Sequence, residues 1–156
     1  MMLLNYLETL LIRINIMATF DDAYKILLKS EGGYVNDSDD SGGETYRGIS
    51  RRYNLDWKGW DIIDNYKRKY QGKSLAKVLN ADDNLQAMVK DLYKEKYWDV
   101  FELDEVPSQN IAYQMFDTCV NCGFGSAVRF AQASLGEKID GRWNLNLLNK
   151  LVSIHS

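Results

Sequence analysis

A pair of glycines, Gly32 and Gly33, cuts off an apolar stripe and so fixes where a helix must stop. Upstream, Phe20, Ala23, Tyr24, Leu27 and Leu28 recur at helical spacing, and Glu31 falls on the continuation of that stripe. Thr19 followed three residues later by Asp22 resembles a capping box at its start. The helix therefore ends on a carboxyl that shares an apolar face. Partial desolvation favours the neutral form of such a group. A carboxylic acid kept protonated near neutrality is what a general acid for glycoside cleavage requires. The plain alternative is a helix-end carboxylate in water. The segment behind Glu31 argues against it, because Asp37, Asp39, Asp40 and Glu44 crowd a stretch broken by Gly42, Gly43 and Gly48.

The rest of the chain reads as mostly helical. Residues 34–47 form a turn-rich excursion, a short hairpin or loop. Gly48 to Tyr53 reads as a helical turn. Trp57 to Tyr70 reads as a helix, and a stronger one runs from about Asp82 to Lys96 on Leu85, Met88, Val89, Leu92 and Tyr93. Pro107, the single proline, suits the first turn of the next helix. Ala112, Met115, Phe116, Cys119 and Val120 are its buried stripe, which makes it the central helix. Asn121 to Gly125 breaks it. Ala127, Phe130, Ala131 and Leu135 mark another helix, and Asn144 to Val152 a last one. Three parts result: an N-terminal extension over 1–18, a domain over 19–135 and a helical tail over 136–156.

With 156 residues, 46% of them hydrophobic, the chain can bury one real core. A net charge of -3 gives no broad electrostatic footprint for nucleic acid. Residues 1–16 are rich in Leu and Ile but carry Glu8 and Arg13 and are too short for a membrane span. They lack the early positive charge and small-residue cleavage site of a signal peptide. They read as an upstream extension before a start at Met17 or as an amphipathic helix packed on the domain. Cys119 and Cys122 have no second pair and no nearby histidine, so they read as small packing side chains rather than a metal site. A disulfide across the helix end is the oxidising-compartment alternative.

A glycosidase needs a second group beside its acid, a nucleophile or a base for water. The two carboxyls stand about 5–5.5 Å apart in retaining enzymes and about 6.5–9.5 Å in inverting ones. Asp37, Asp39, Asp40 and Glu44 all compete for that place. The same stretch, Asp37 to Gly42, copies the first half of a calcium loop, but Gly48 stands where the bidentate Glu is required. Lys67-Arg68-Lys69, flanked by Tyr66 and Tyr70, reads as a solvated face, with contact to an anionic polymer or the wall as its functional alternative.

Glu31-Gly32-Gly33-Tyr34-Val35-Asn36-Asp37, Gly42-Gly43-Glu44-Thr45 and Gly48-Ile49 together resemble glycoside hydrolase family 108, the N-acetylmuramidase-like proteins common among phage endolysins. Tyr97-Trp98, Asp117 to Gly123 and Ala131-Gln132 extend the resemblance over roughly Thr19 to Leu135. The family's loop usually carries prolines where Ser38 and Ser41 stand here. Its usual C-terminal wall-binding pattern is reduced to Asp140-Gly141, so the tail is a vestigial peptidoglycan-binding segment or simply packing helices.

The resemblance implies a mainly α, lysozyme-like fold with a small hairpin or loop after the catalytic helix. It implies cleavage of the β-1,4 bond after N-acetylmuramic acid in peptidoglycan glycan strands, without metal or organic cofactor. The family's acid falls on Glu31. By spacing, Asp40 and Thr45 take the partner carboxylate and water-positioning places, and Tyr34, Tyr46 and Asn121 are the expected substrate-binding residues. Two alternatives remain open: a lytic transglycosylase, and a non-catalytic wall-binding or secretion-accessory protein on the same scaffold. A protein made in the cytoplasm would need a holin, a secretion machine or lysis to reach the wall.

Overall fold

The structure is a computed structural model, and it describes residues 17–30, 32–36 and 43–154. It is mainly α, the lysozyme-like class expected from the sequence, with one small sheet. The chain divides into two compact units: one joins the N-terminal residues through Lys25 to the chain from Lys94 onward, and the other is Ile26–Tyr93. Residues 1–16 and the Asp37 to Gly42 calcium reading lie outside the described residues.

Helix α1 is Phe20–Leu27. The hydroxyl of Thr19 accepts from the Asp22 amide at 3.4 Å and donates to the Asp22 carboxylate at 2.9 Å. The Thr19 amide donates to Gln109 Oε1 at 2.7 Å, and Gln109 Nε2 returns a bond to the Thr19 carbonyl at 3.1 Å. The start of the helix is thus held at both backbone groups. Phe20, Ala23, Tyr24 and Leu27 are buried, as their spacing predicts. At the far end the Ser30 amide and hydroxyl both donate to the Leu27 carbonyl, at 3.0 and 2.8 Å. These bonds satisfy a carbonyl that the helix leaves open.

In the Ile26–Tyr93 unit, strands β1 (Tyr34–Asn36), β2 (Glu44–Tyr46) and β3 (Ile49–Ser50) form an antiparallel sheet in that order. Tyr34 opposes Tyr46, and Tyr46 opposes Ile49. The expected helical turn over Gly48 to Tyr53 is therefore corrected to a strand followed by a short 3-10 turn, Arg51–Tyr53. Two residues, Arg47 and Gly48, join β2 to β3 with φ of 45° and 78°. Positive φ at both places is the hairpin geometry whose twist matches the strands. Arg47 is a costly residue for it.

Helices α2 (Gly59–Lys67), α3 (Gly72–Ala81) and α4 (Asp83–Tyr93) complete this unit. Helix α3 has no counterpart in the sequence reading. Its hydrophobic signal rests on Leu75 and Leu79, and its start is closed by Ser74, whose hydroxyl accepts from the Gln71 amide at 3.3 Å. Asp82 caps α4 by accepting from the Leu85 amide at 2.8 Å. At the start of α2 the Trp57 indole lies against Gly59 so closely that a Cβ there would overlap the ring. Gly59→Ala should therefore destabilise the fold by about 2 kcal/mol, read as a lower urea midpoint. An unchanged midpoint would mean that Trp57 swings aside at no cost.

In the other unit, a π-helical turn (Lys94–Trp98) and two 3-10 turns lead to α5 (Gln109–Cys122), α6 (Phe124–Ser134) and α7 (Leu145–Ser153). Pro107 precedes α5 instead of opening it. Ser108 is the cap, its hydroxyl accepting from the Ile111 amide at 3.4 Å. Ala112, Met115, Phe116 and Cys119 form the buried stripe. Phe20, Trp98 and Phe116 meet edge-on, with ring centres 5.7 to 5.9 Å apart. Both cysteines are free thiols, Cys119 buried and Cys122 exposed. Burial pushes the Cys119 thiol up to about 11, against a small opposing pull from Lys96.

One side-chain amide organises the turn at Asp140 and Gly141. Gln132, itself buried, accepts from the Asp140 and Gly141 amides at 3.1 and 2.9 Å and donates to Asp140 Oδ1 at 2.8 Å. Gly141 has φ of 73°, which explains why glycine follows Asp140. Leu147, Leu148 and Leu151 of α7 are buried.

Candidate active site

The hairpin is built on a four-charge cluster. Glu44, at the start of β2, accepts from Lys67 Nζ at 2.7 Å and from the Tyr34 hydroxyl at 2.8 Å on Oε1, and from Arg51 Nη1 at 2.8 Å on Oε2. Arg51 also grips Asp64 with two nitrogens, at 2.8 and 2.7 Å. Its guanidinium lies 5.2 Å from the Trp60 ring centre. Two anions and two cations cancel, so β1, β2, the 3-10 turn and α2 are tied together without a net charge. Sheet register explains the Tyr34 contact. Tyr34 faces Tyr46, and Glu44 is its diagonal neighbour on the same face.

The electrostatics follow from that packing. Burial pushes the Glu44 carboxyl up, but the bonds from Lys67, Arg51 and Tyr34 outweigh it, and the net shift is downward. The Arg51 grip holds Asp64 low against a smaller effect of burial. Burial lowers Lys67, yet Glu44 and Tyr34 carry it above its ordinary value. Tyr34 is raised, first by burial and then by Glu44. Glu44 is thus an ionised carboxylate with both oxygens engaged. It is no donor of a proton, and both its oxygens are committed to holding the hairpin.

Glu31, Asp37, Asp39 and Asp40 lie outside the described residues. Their flanks are described. Ser30 is bonded back to α1, and the Gly33 carbonyl accepts from the Arg47 amide at 3.2 Å. The Arg47 carbonyl in turn accepts from the Tyr93 hydroxyl at 2.7 Å. Thr45 sits mid-way along the central strand, paired with Val35 and Ser50, half-buried, with its hydroxyl 3.4 Å from the Gly43 carbonyl. Tyr34 is half-buried and spends its hydroxyl on Glu44. Tyr46 has no exposed surface. Its hydroxyl lies 3.2 Å from Asn80 Oδ1 and accepts from Gln86 Nε2 at 2.8 Å. The expectation that Tyr46 touches substrate is corrected on that ground: with no accessible surface, its ring supports β2 from within. Asn121 belongs to the other unit, where it is exposed and donates to the Asp117 carbonyl at 2.9 Å.

Lys67 corrects a second expectation. It belongs to the cluster and not to a solvated basic face. The signal in the sequence was Asp64, three residues before Lys67 on α2, but its link to Glu44 spans 23 residues and needs the fold.

The family model described as glycosyl hydrolase 108 matches residues 24–123. The chain belongs to glycosyl hydrolase family 108. The matched stretch holds Glu31, the hairpin, the charge cluster and all of α5, so the family 108 signature and the clamped hairpin are the same part of the molecule. Among solved structures, SagA from Brucella abortus shares the fold, with a TM-score of 0.56 at 24% identity, over 87% of this chain and 70% of that one. A search of curated proteins gave no match. Among the described residues no cluster of His, Cys, Asp and Glu could hold a metal ion, and no helix is long and apolar enough to cross a membrane.

Proposed function

We propose that this family 108 protein is an N-acetylmuramidase that cuts the β-1,4 bond between N-acetylmuramic acid and N-acetylglucosamine in peptidoglycan. The observation that carries this reading is the family match over residues 24–123, whose glycine-punctuated motif begins at Glu31. In this reading Glu31 donates its proton to the leaving glycosidic oxygen. Asp40 activates water or stabilises the oxocarbenium-like transition state, and Thr45 orients that water. Glu44, with both oxygens held by Lys67, Arg51 and Tyr34, is less available for the partner role than Asp40, Asp37 or Asp39. Tyr34 and Asn121 remain the proposed contacts to the glycan. The protein acts on the wall, and a holin or secretion machine is the proposed route to it.

Mass spectrometry of fragments released from purified peptidoglycan tests the reading. Reducing N-acetylmuramic acid ends are expected. Ends closed as 1,6-anhydro sugars would instead mean intramolecular attack by the muramoyl 6-hydroxyl, a transglycosylase. Binding to sacculi without fragments would mean an accessory wall protein on this fold.

A further inference from the structure

The basic run at the end of α2 splits in two: Lys67 turns to Glu44, while Lys69 lines a cavity of about 330 Å³ with Ile62, Asn65, Tyr66, Tyr70 and Asp82. All of it belongs to the Ile26–Tyr93 unit. The Tyr66 and Tyr70 ring centres are 6.1 Å apart and the rings tilt by 52°, so they form two walls of a shallow wedge. Tyr70 is 37% exposed. Its amide donates to the Tyr66 carbonyl at 2.9 Å, which fixes the spacing of the two rings along the chain. The Tyr66 hydroxyl donates to Asp82 Oδ2 at 2.9 Å, while Oδ1 caps α4. Arg68 Nη2 donates to Asn65 Oδ1 at 2.7 Å, which leaves the amide of Asn65 its two N–H donors.

None of these residues is assigned a part in glycoside cleavage. We propose that this pocket is an accessory carbohydrate site that receives one pyranose ring of an amino-sugar chain. The naming of the polymer rests on the peptidoglycan reading above. The volume lies at the small end of ligand pockets, room for a single ring. Two tyrosines give apolar faces to a sugar's C–H surface. Lys69 and the Asn65 amide supply donors to an N-acetyl carbonyl or a hydroxyl. A cationic ligand fits poorly, since Lys69 lines the same pocket. A polyanion fits poorly too, since the Asp82 carboxylate lines it as well. Such a site holds the insoluble polymer while the bond is cut elsewhere, so it acts on wall binding more than on turnover.

The test uses the full chain. Chitotetraose is titrated into isotopically labelled wild-type protein, and amide shifts are followed. Binding to sacculi and turnover of a short soluble glycan are compared among wild type, Tyr70→Ala, Tyr70→Phe and Lys69→Gln, each checked for folding by circular dichroism. Shifts are expected to centre on residues 62–82. Tyr70→Ala should weaken sacculus binding about fivefold, and Tyr70→Phe should keep it. Soluble turnover should stay within about twofold of wild type in all three variants, because none touches the reacting bond. Unchanged sacculus binding in both Tyr70→Ala and Lys69→Gln would overturn the proposal. So would shifts that avoid residues 62–82, or displacement of the sugar by a free stem peptide. The muramidase reading fails separately, if the fragments carry the wrong ends, and the shift map is independent of that result.

Discussion

Glu31→Gln is expected to lower peptidoglycan turnover by about 10²- to 10⁴-fold while leaving the thermal midpoint and sacculus binding near wild type. Glutamine keeps the size and polarity of the side chain and removes only its transferable proton. The leaving group of a glycoside departs as an alkoxide unless it is protonated, so the missing proton appears in kcat and not in affinity. The structure supplies the control. Glu44, thirteen residues on, is also a carboxylate of the motif but is ionised and held by Lys67, Arg51 and Tyr34. Asp40→Asn gives the second arm. A loss comparable to that of Glu31→Gln assigns Asp40 the partner role, while full activity hands it to Asp37 or Asp39 or favours the transglycosylase. Wild-type turnover in Glu31→Gln would end the assignment of the acid.

What could be read from the chain without coordinates divides by the range of the interaction. Helices with a full apolar stripe were legible. Phe20 to Leu27 and Ala112 to Cys119 bury most of the residues their period selects, and the last of each stripe, Leu28 and Val120, are half-buried. Short-range chemistry was legible as well, as with the Thr19 and Asp22 box at the start of α1. Helix α3 was not, since two leucines make too weak a period and its N-cap is Gln71, outside the usual cap set, with the serine three residues on. The fate of charged residues was least legible. Asp64, three residues back, is a local signal for Lys67, but the bond that locks it is to Glu44, 23 residues away. Arg68 next to it bonds Asn65 at the surface. Tyr46 failed for the same reason: aromatic residues serve sugars and cores alike, and only burial decides. The family motif was specific enough to survive all of this, in part because two of its glycines are backbone requirements. Gly43 and Gly48 both have positive φ.

The cluster beneath the hairpin carries the largest expected effect on stability. Glu44 keeps only 11% of its side chain exposed, and replacing it by glutamine leaves Arg51 and Lys67 partly buried with one anion, Asp64, between them. Glu44→Gln should destabilise the fold by about 3 kcal/mol, read from urea or thermal unfolding at neutral pH. The pH dependence has a defined sign. The folded-state pKa of Glu44 lies below its ordinary value, so its contribution is present above that ordinary value and fades as pH falls through the folded one. Lys67 is raised, so its contribution is full below its ordinary value and fades as pH climbs through the folded one. Wild type should therefore lose stability at both the acid and the alkaline extreme, and Glu44→Gln should have a flatter acid limb. A double-mutant cycle with Lys67→Met should return a coupling of about 1–3 kcal/mol. The same variant separates scaffold from chemistry. If Glu44 only ties β1, β2 and α2 together, Glu44→Gln assayed well below its unfolding temperature keeps turnover far above that of Glu31→Gln. Equal losses in the two variants, in protein shown to be folded, would place Glu44 in the reaction itself, and an unchanged unfolding midpoint would show that the four charges do not brace the hairpin.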